Sequence, residues 1–128
     1  MEMAHEGEKR RVVCISDTHG LHRGLDLPQG DILIHAGDFT RHGSLQDAED
    51  FNAWLATLDY QHKFLVLGNH EHNTLRQGIE QVVTNGQVLD NRTVHCLGLT
   101  ITGLRFSWPI PVDPSTAHPR LCSHPFLF

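Results

Sequence analysis

The chain has 128 residues, enough for one domain with its own core but short for a large two-layered α/β enzyme. With 39% hydrophobic residues, 20% charged residues and a net charge of −5, it has a globular composition and lacks the basic excess of a general nucleic-acid binder. Three widely spaced cysteines without a CxxC pair argue against a disulfide framework or a zinc knuckle; Cys14 and Cys96 are expected as buried thiols, and Cys122 in the tail.

Residues 1–9 form a polar lead-in with no apolar segment of the kind a secretory signal needs. No apolar run approaches membrane-spanning length, so the chain reads as soluble and cytoplasmic, without a membrane partner. From Arg10 to Ser16, the run Val12, Val13, Cys14 and Ile15 predicts a buried strand that ends at Asp17-Thr18-His19-Gly20. A second run, Ile32, Leu33 and Ile34, ends at Ala36-Gly37-Asp38. Next comes a helix. Ser44 is placed as its N-cap with Asp47 completing a capping box, and Leu45, Ala48, Phe51, Trp54, Leu55 and Leu58 form its apolar face. A third strand, Lys63 to Leu67, runs through Phe64, Leu65, Val66 and Leu67 and ends at Gly68-Asn69. A strand, a crossover helix and a strand make a parallel unit.

A second helix is predicted from Thr74 to Val83, with Leu75, Ile79, Val82 and Val83 on one face and a weak point at Gly78. Val94 to Leu97 and Leu99 to Leu104 read as two short strands around a turn at Gly98. Five of the six prolines follow Trp108, so residues 109–128 are expected as an irregular tail after a domain spanning residues 10–108.

Three polar fragments therefore sit where strands end and loops begin, the position at which open α/β sheets hold ligands. Asp17 and His19 are two residues apart, Asp38 arrives from the neighbouring strand, and Asn69 and His70 come from the third. Two carboxylates, two imidazoles and a carboxamide form a mixed oxygen and nitrogen donor set for a divalent metal. Asp38 can bridge two ions about 3.5–4 Å apart, a spacing that clamps both oxygens of a phosphoryl transfer. His70 would protonate the leaving oxygen or hold a phosphate oxygen. His35, inside the second strand, reads as a satisfied core residue or a support for the ligands. His22, Arg23, Arg41 and His42 read as solvated loop residues that flank the site.

The segments Ile15-Ser16-Asp17-Thr18-His19-Gly20, Ile34-His35-Ala36-Gly37-Asp38-Phe39-Thr40 and Leu67-Gly68-Asn69-His70-Glu71 resemble the calcineurin-like metallophosphoesterase superfamily, more narrowly its metallophosphoesterase-domain-containing subgroup. The resemblance covers residues 10 to 108. It implies an α/β/β/α sandwich with a largely parallel first sheet. It implies two divalent ions (manganese, iron or zinc), one on Asp17, His19 and Asp38 and the other on Asp38 and Asn69, with His70 as the catalytic histidine. The implied reaction is hydrolysis of a phosphomonoester or phosphodiester, a cyclic nucleotide among the candidates, by a metal-activated water.

The sequence departs from the family pattern in its second half. No Gly-His-x-His motif occurs, and His118 and His124 each precede a proline. A C-terminally truncated fold is the expectation, with an incompletely covered sheet that would favour self-association. The alternative to an active enzyme is an impaired form that binds metal or nucleotide, or serves as an interaction fragment.

Overall fold

The structure, a computed structural model, describes residues 8–72, 75 and 78–104. The tail expected from residue 109, with His118, Cys122 and His124, lies outside the described residues, as does Thr74.

Four strands, β1 (Val12–Ile15), β2 (Ile32–His35), β3 (His62–Leu65) and β4 (Gln87–Val88), form one parallel sheet in the order β1-β2-β3-β4. The register pairs Cys14 with Ile34 and Ile34 with Phe64. The three predicted strands are present; β4 is too short to leave a periodic signal. Helix α1 (Leu45–Ala56) crosses from β2 to β3. Ser44 caps it by accepting from the Asp47 N–H at 3.1 Å. The reciprocal half of the expected capping box does not close on Ser44, because Asp47 Oδ2 instead accepts from the backbone N–H of Arg41 at 3.0 Å. At the other end, Lys63 Nζ donates to the Leu55 carbonyl at 2.6 Å, placing a cation where the helix dipole is negative.

After the third strand comes a single turn, α2 (Asn69–His72), and within the predicted helix Thr74–Val83 the described residues hold one turn, α3 (Ile79–Val82). Gly78 takes φ +84°, a left-handed conformation, so no right-handed helix runs through it. Leu75, Ile79 and Val83 are nevertheless buried, as their spacing implied. Strands β5 (Arg92–Cys96) and β6 (Leu99–Gly103) form an antiparallel hairpin whose turn residues Leu97 and Gly98 both have positive φ.

The first sheet is covered on both faces. On one, Ala48, Phe51, Trp54 and Leu55 of α1 pack with Ile79 and Val83 against Val13, Leu33, Leu65 and Val88. On the other, Ile101 of the hairpin, with Val94 and Cys96 beside it, meets Ile32, Ile34, Phe64, Val66 and Leu89. The described residues thus supply an α/β/β stack. The hairpin stops short of β1, leaving Val12 and Cys14 exposed, so the expected burial of Cys14 is not met. Leu45, placed on the buried helix face by its spacing, is also exposed.

Phe51 carries the helix-side core. It is fully buried, stacks on Phe39 with ring centroids 4.4 Å apart, and meets His35 edge-on. Phe51→Ala is expected to lower unfolding free energy by about 3–5 kcal/mol. Urea denaturation checks it; a loss under about 1 kcal/mol would show that this packing is not central.

Candidate metal centre

All three polar fragments lie at the carboxyl ends of β1, β2 and β3. The loops after β1 and β2 stay paired after the strands end: Asp17 N–H donates to Gly37 O, His19 N–H to Asp38 O and Gly20 N–H to Phe39 O, all at 2.9–3.0 Å. This pairing sets the two loops side by side. It forces Asp17, His19 and Asp38 to φ values of 55°, 43° and 58°. Left-handed backbone at non-glycine residues costs of order 1–3 kcal/mol each and concentrates at functional sites.

One donor atom from each of His19, Asp38 and His70 lies within 4.8 Å of the others. Asp17 sits at the edge of this cluster, its Oδ1 3.6 Å from His19 Nε2. Asn69 opens α2 beside His70. The five residues singled out from sequence therefore come from three adjacent strand ends, and His70, expected as the proton donor, belongs to the tightest donor group.

Both imidazoles are oriented by backbone carbonyls of the loop after Asp38. His19 Nδ1–H donates to Thr40 O at 3.2 Å, and His70 Nδ1–H donates to Arg41 O. In each ring Nδ1 is thus committed to the loop, which leaves Nε2 as the nitrogen that can ligate a metal. The rings lie 4.5 Å apart at 60°. The chemistry of this set, two imidazole nitrogens with carboxylate and carboxamide oxygens, fits a divalent transition metal.

Asp38 is 2% exposed, and its Oδ1 accepts from the His70 N–H at 3.1 Å. Gly68 packs against it so closely that a Cβ there would lie 2.0 Å from Asp38 Oδ1 and 2.6 Å from Asp38 N. Side-chain rotation cannot relieve the backbone overlap.

Around the donors is a shell that sequence patterns mostly missed. Thr18 turns into the core, and its hydroxyl meets His35 Nε2 at 2.9 Å. His35 Nδ1 accepts from the Gly37 N–H at 3.1 Å, so Nε2 carries the proton and donates to Thr18. Burial pushes the His35 pKa down to about 3. His35 is thus the satisfied core support that its position in the strand suggested. His22 overturns its reading as a solvated loop residue: it is fully buried between Phe51 and Trp54 and donates from Nε2 to Asp50 Oδ2 at 2.8 Å. Burial lowers its pKa despite that carboxylate. Arg23 closes on Asp50 from outside.

Glu71 is the residue whose place the sequence did not reveal. It is completely buried although it lies in a polar motif. Its Oε1 accepts from the N–H groups of Asp38 at 2.8 Å and Gly68 at 3.1 Å, with Phe39 N–H at 3.4 Å. Its Oε2 accepts from Thr40 N–H at 3.2 Å and from the Thr40 hydroxyl at 2.7 Å. Burial raises its pKa, while the bonds from Thr40 and Gly68 oppose that rise. The only sequence signal was a carboxylate directly after Asn-His at a strand end; its donors are spread over some thirty residues of chain.

The sequence profile of the family described as calcineurin-like phosphoesterase matches residues 10–113. The chain belongs to that family, whose members are metal-dependent phosphoesterases. Among its relatives are the metallophosphoesterase domain-containing protein 1 of human and mouse, each 49% identical over 61 residues, which is 48% of this chain and 19% of theirs. A UPF0046 protein of Caenorhabditis elegans is 37% identical over 107 residues, covering 75% of this chain and 37% of its own length. Another UPF0046 protein of the same organism is 51% identical over 65 residues, 49% of this chain and 23% of that protein. The chain thus spans well under half the length of these relatives. No helix among the described residues is long and apolar enough to cross a membrane.

Two outcomes follow from this geometry. Gly68→Ala is expected to displace Asp38 and to weaken manganese binding by at least about tenfold, since support residues around metal ligands typically carry 10–100-fold in affinity; calorimetric titration measures it, and unchanged binding would show that Asp38 does not depend on this packing. The second concerns pH. His35 is held neutral in the fold, whereas the unfolded chain gains its proton below about pH 6.5; burial lowers the His22 pKa in the same direction. Stability is therefore full above that pH and falls as pH drops toward about 3, by up to about 1.4 kcal/mol per unit for His35, with His22 acting in the same direction. Urea midpoints between pH 7 and 5.5 should decline, and His35→Gln should flatten the slope by nearly one proton. An unflattened slope would mean that His35 is already charged in the fold.

Proposed function

We propose that this chain is a metal-dependent phosphoesterase for a small phosphomonoester or phosphodiester, nucleotides and cyclic nucleotides included. The observation that carries the reading is the convergence of His19, Asp38 and His70 within 4.8 Å, with both rings fixed so that Nε2 is free. Asp17, His19, Asp38 and Asn69 would hold two divalent ions, manganese, iron or zinc. Bound there, such ions neutralise phosphate charge and lower the pKa of a hydrolytic water.

The chain's own residues supply the rest. With Nδ1–H committed to the Arg41 carbonyl, proton exchange at His70 is confined to Nε2, from which the imidazolium gives its proton to the departing oxygen. The fixed ring spares the reaction an orientational cost. Arg41 is exposed, and its side chain lies across Gly20, with Nε 3.0 Å from where a Cβ would stand. That places a permanent positive charge on the rim of the His19 loop, suited to phosphate oxygens.

Hydrolysis of bis(4-nitrophenyl) phosphate with manganese tests this. The chain should turn over, Asp38→Asn should fall to background, and His70→Ala should lose about 10²–10⁴-fold in kcat. Equal rates for the chain and Asp38→Asn would overturn turnover and leave metal or nucleotide binding without catalysis.

A further inference from the structure

Glu71 carries no assigned chemistry in the site described above, yet it is a completely buried carboxylate with a full set of donors. A carboxylate offers about four lone-pair positions. Here they are taken by N–H groups of Asp38, Thr40 and Gly68 and by the Thr40 hydroxyl, with Phe39 N–H at longer range. The Thr40 oxygen in turn accepts from Gly43 N–H at 2.9 Å. One side chain from the third loop therefore grips the whole of the second loop, residues 38–40, and ties it to its own strand end at Gly68.

That second loop supplies the two carbonyls that orient the imidazoles: Thr40 O for His19 and Arg41 O for His70. It also carries Asp38 itself. We propose that Glu71 is a positioning residue for the metal centre. It fixes the backbone of residues 38–41, and through Thr40 O and Arg41 O it holds both His19 and His70 in the tautomer with Nε2 free. The inference rests on the phosphoesterase reading for its metal, but not for the ring tautomers, which exist without metal.

The effect is more than general stability. Removing the carboxylate's charge while keeping its shape, as in Glu71→Gln, replaces one acceptor oxygen by an amide nitrogen facing N–H donors. The 38–40 backbone must move to separate them, and the two carbonyls move with it. His22 is the internal control, because it is bonded to Asp50 of α1 and touches none of this network. His22 should therefore keep its Nε2–H form in the variant.

The experiment uses the full chain in two arms. Long-range proton–nitrogen correlation spectra of the metal-free protein assign the tautomer of each histidine. Manganese titration, followed by electron paramagnetic resonance, gives the affinity. In Glu71→Gln, His19 and His70 are expected to lose their Nδ1–H tautomer while His22 keeps its own, and manganese should bind at least about tenfold more weakly. Unchanged His19 and His70 tautomers in folded Glu71→Gln would overturn the proposal. If that variant does not fold, Thr40→Val removes one donor of the same cluster and leaves the carboxylate in place. It should shift the same two tautomers and weaken manganese binding severalfold, and wild-type spectra there would overturn the proposal equally. Absence of manganese binding by the unaltered chain would instead remove the phosphoesterase reading, and the tautomer arm alone then decides the role of Glu71.

Discussion

One buried carboxylate links the parts of the site that the strands alone leave separate. Strand pairing brings the first two loops side by side, but the third arrives on the short turn α2, which has no ladder to hold it. The bonds from the second loop to Glu71 close that gap across about thirty residues of sequence. An uncompensated buried carboxylate would be costly. Here the charge is met by backbone donors that would otherwise be buried without partners, so desolvation of one side chain and satisfaction of several loop amides are the same event.

That anchorage also bears on the strain at the donors. Asp17, His19 and Asp38 all sit at positive φ, a conformation that small polar residues tolerate but do not prefer. Isolated loops would relax out of it. They are kept there by the paired backbone bonds between residues 17–20 and 37–39, by Glu71, and by Gly68 with no side chain to push Asp38 away. Beneath them, His35 joins the loop after β1 to the loop after β2 through Thr18 and Gly37, and Phe51 packs against the same ring. The core and the site therefore share one histidine, which explains why a strand that is otherwise aliphatic ends in a polar residue.

The parts of the fold legible in sequence are those governed by local period. The three main strands showed as short β-branched runs, α1 as an apolar face with Ser44 before it, and the hairpin as two runs about Gly98. The misreadings share another origin. Thr74 to Val83 has helical spacing, yet Gly78 adopts a left-handed backbone, and among the described residues of that span helix is found at Ile79–Val82. Cys14 lies in an apolar run but faces a stretch of sheet that the hairpin does not reach. His22 follows a polar loop and looked solvated, but the 3-10 turn of residues 22–24 folds it under α1. For Cys14 and His22 burial depended on what another element covers, and at Gly78 the backbone conformation did not follow the side-chain period; spacing encodes neither.

Sequence by itself determined where the candidate chemistry lies: Asp17, His19, Asp38, Asn69 and His70 fall at successive strand ends, and parallel strands place their carboxyl ends together, which supports the proposed donor set. It also determined the first sheet, because continuous apolar runs have no other comfortable environment. Tertiary structure decided which nitrogen of each imidazole is free, how Asp38 is held, and that Glu71 is buried. Those depend on hydrogen bonds between loops far apart in the chain, whose partners are mainly backbone groups common to every residue and so leave no mark in the sequence.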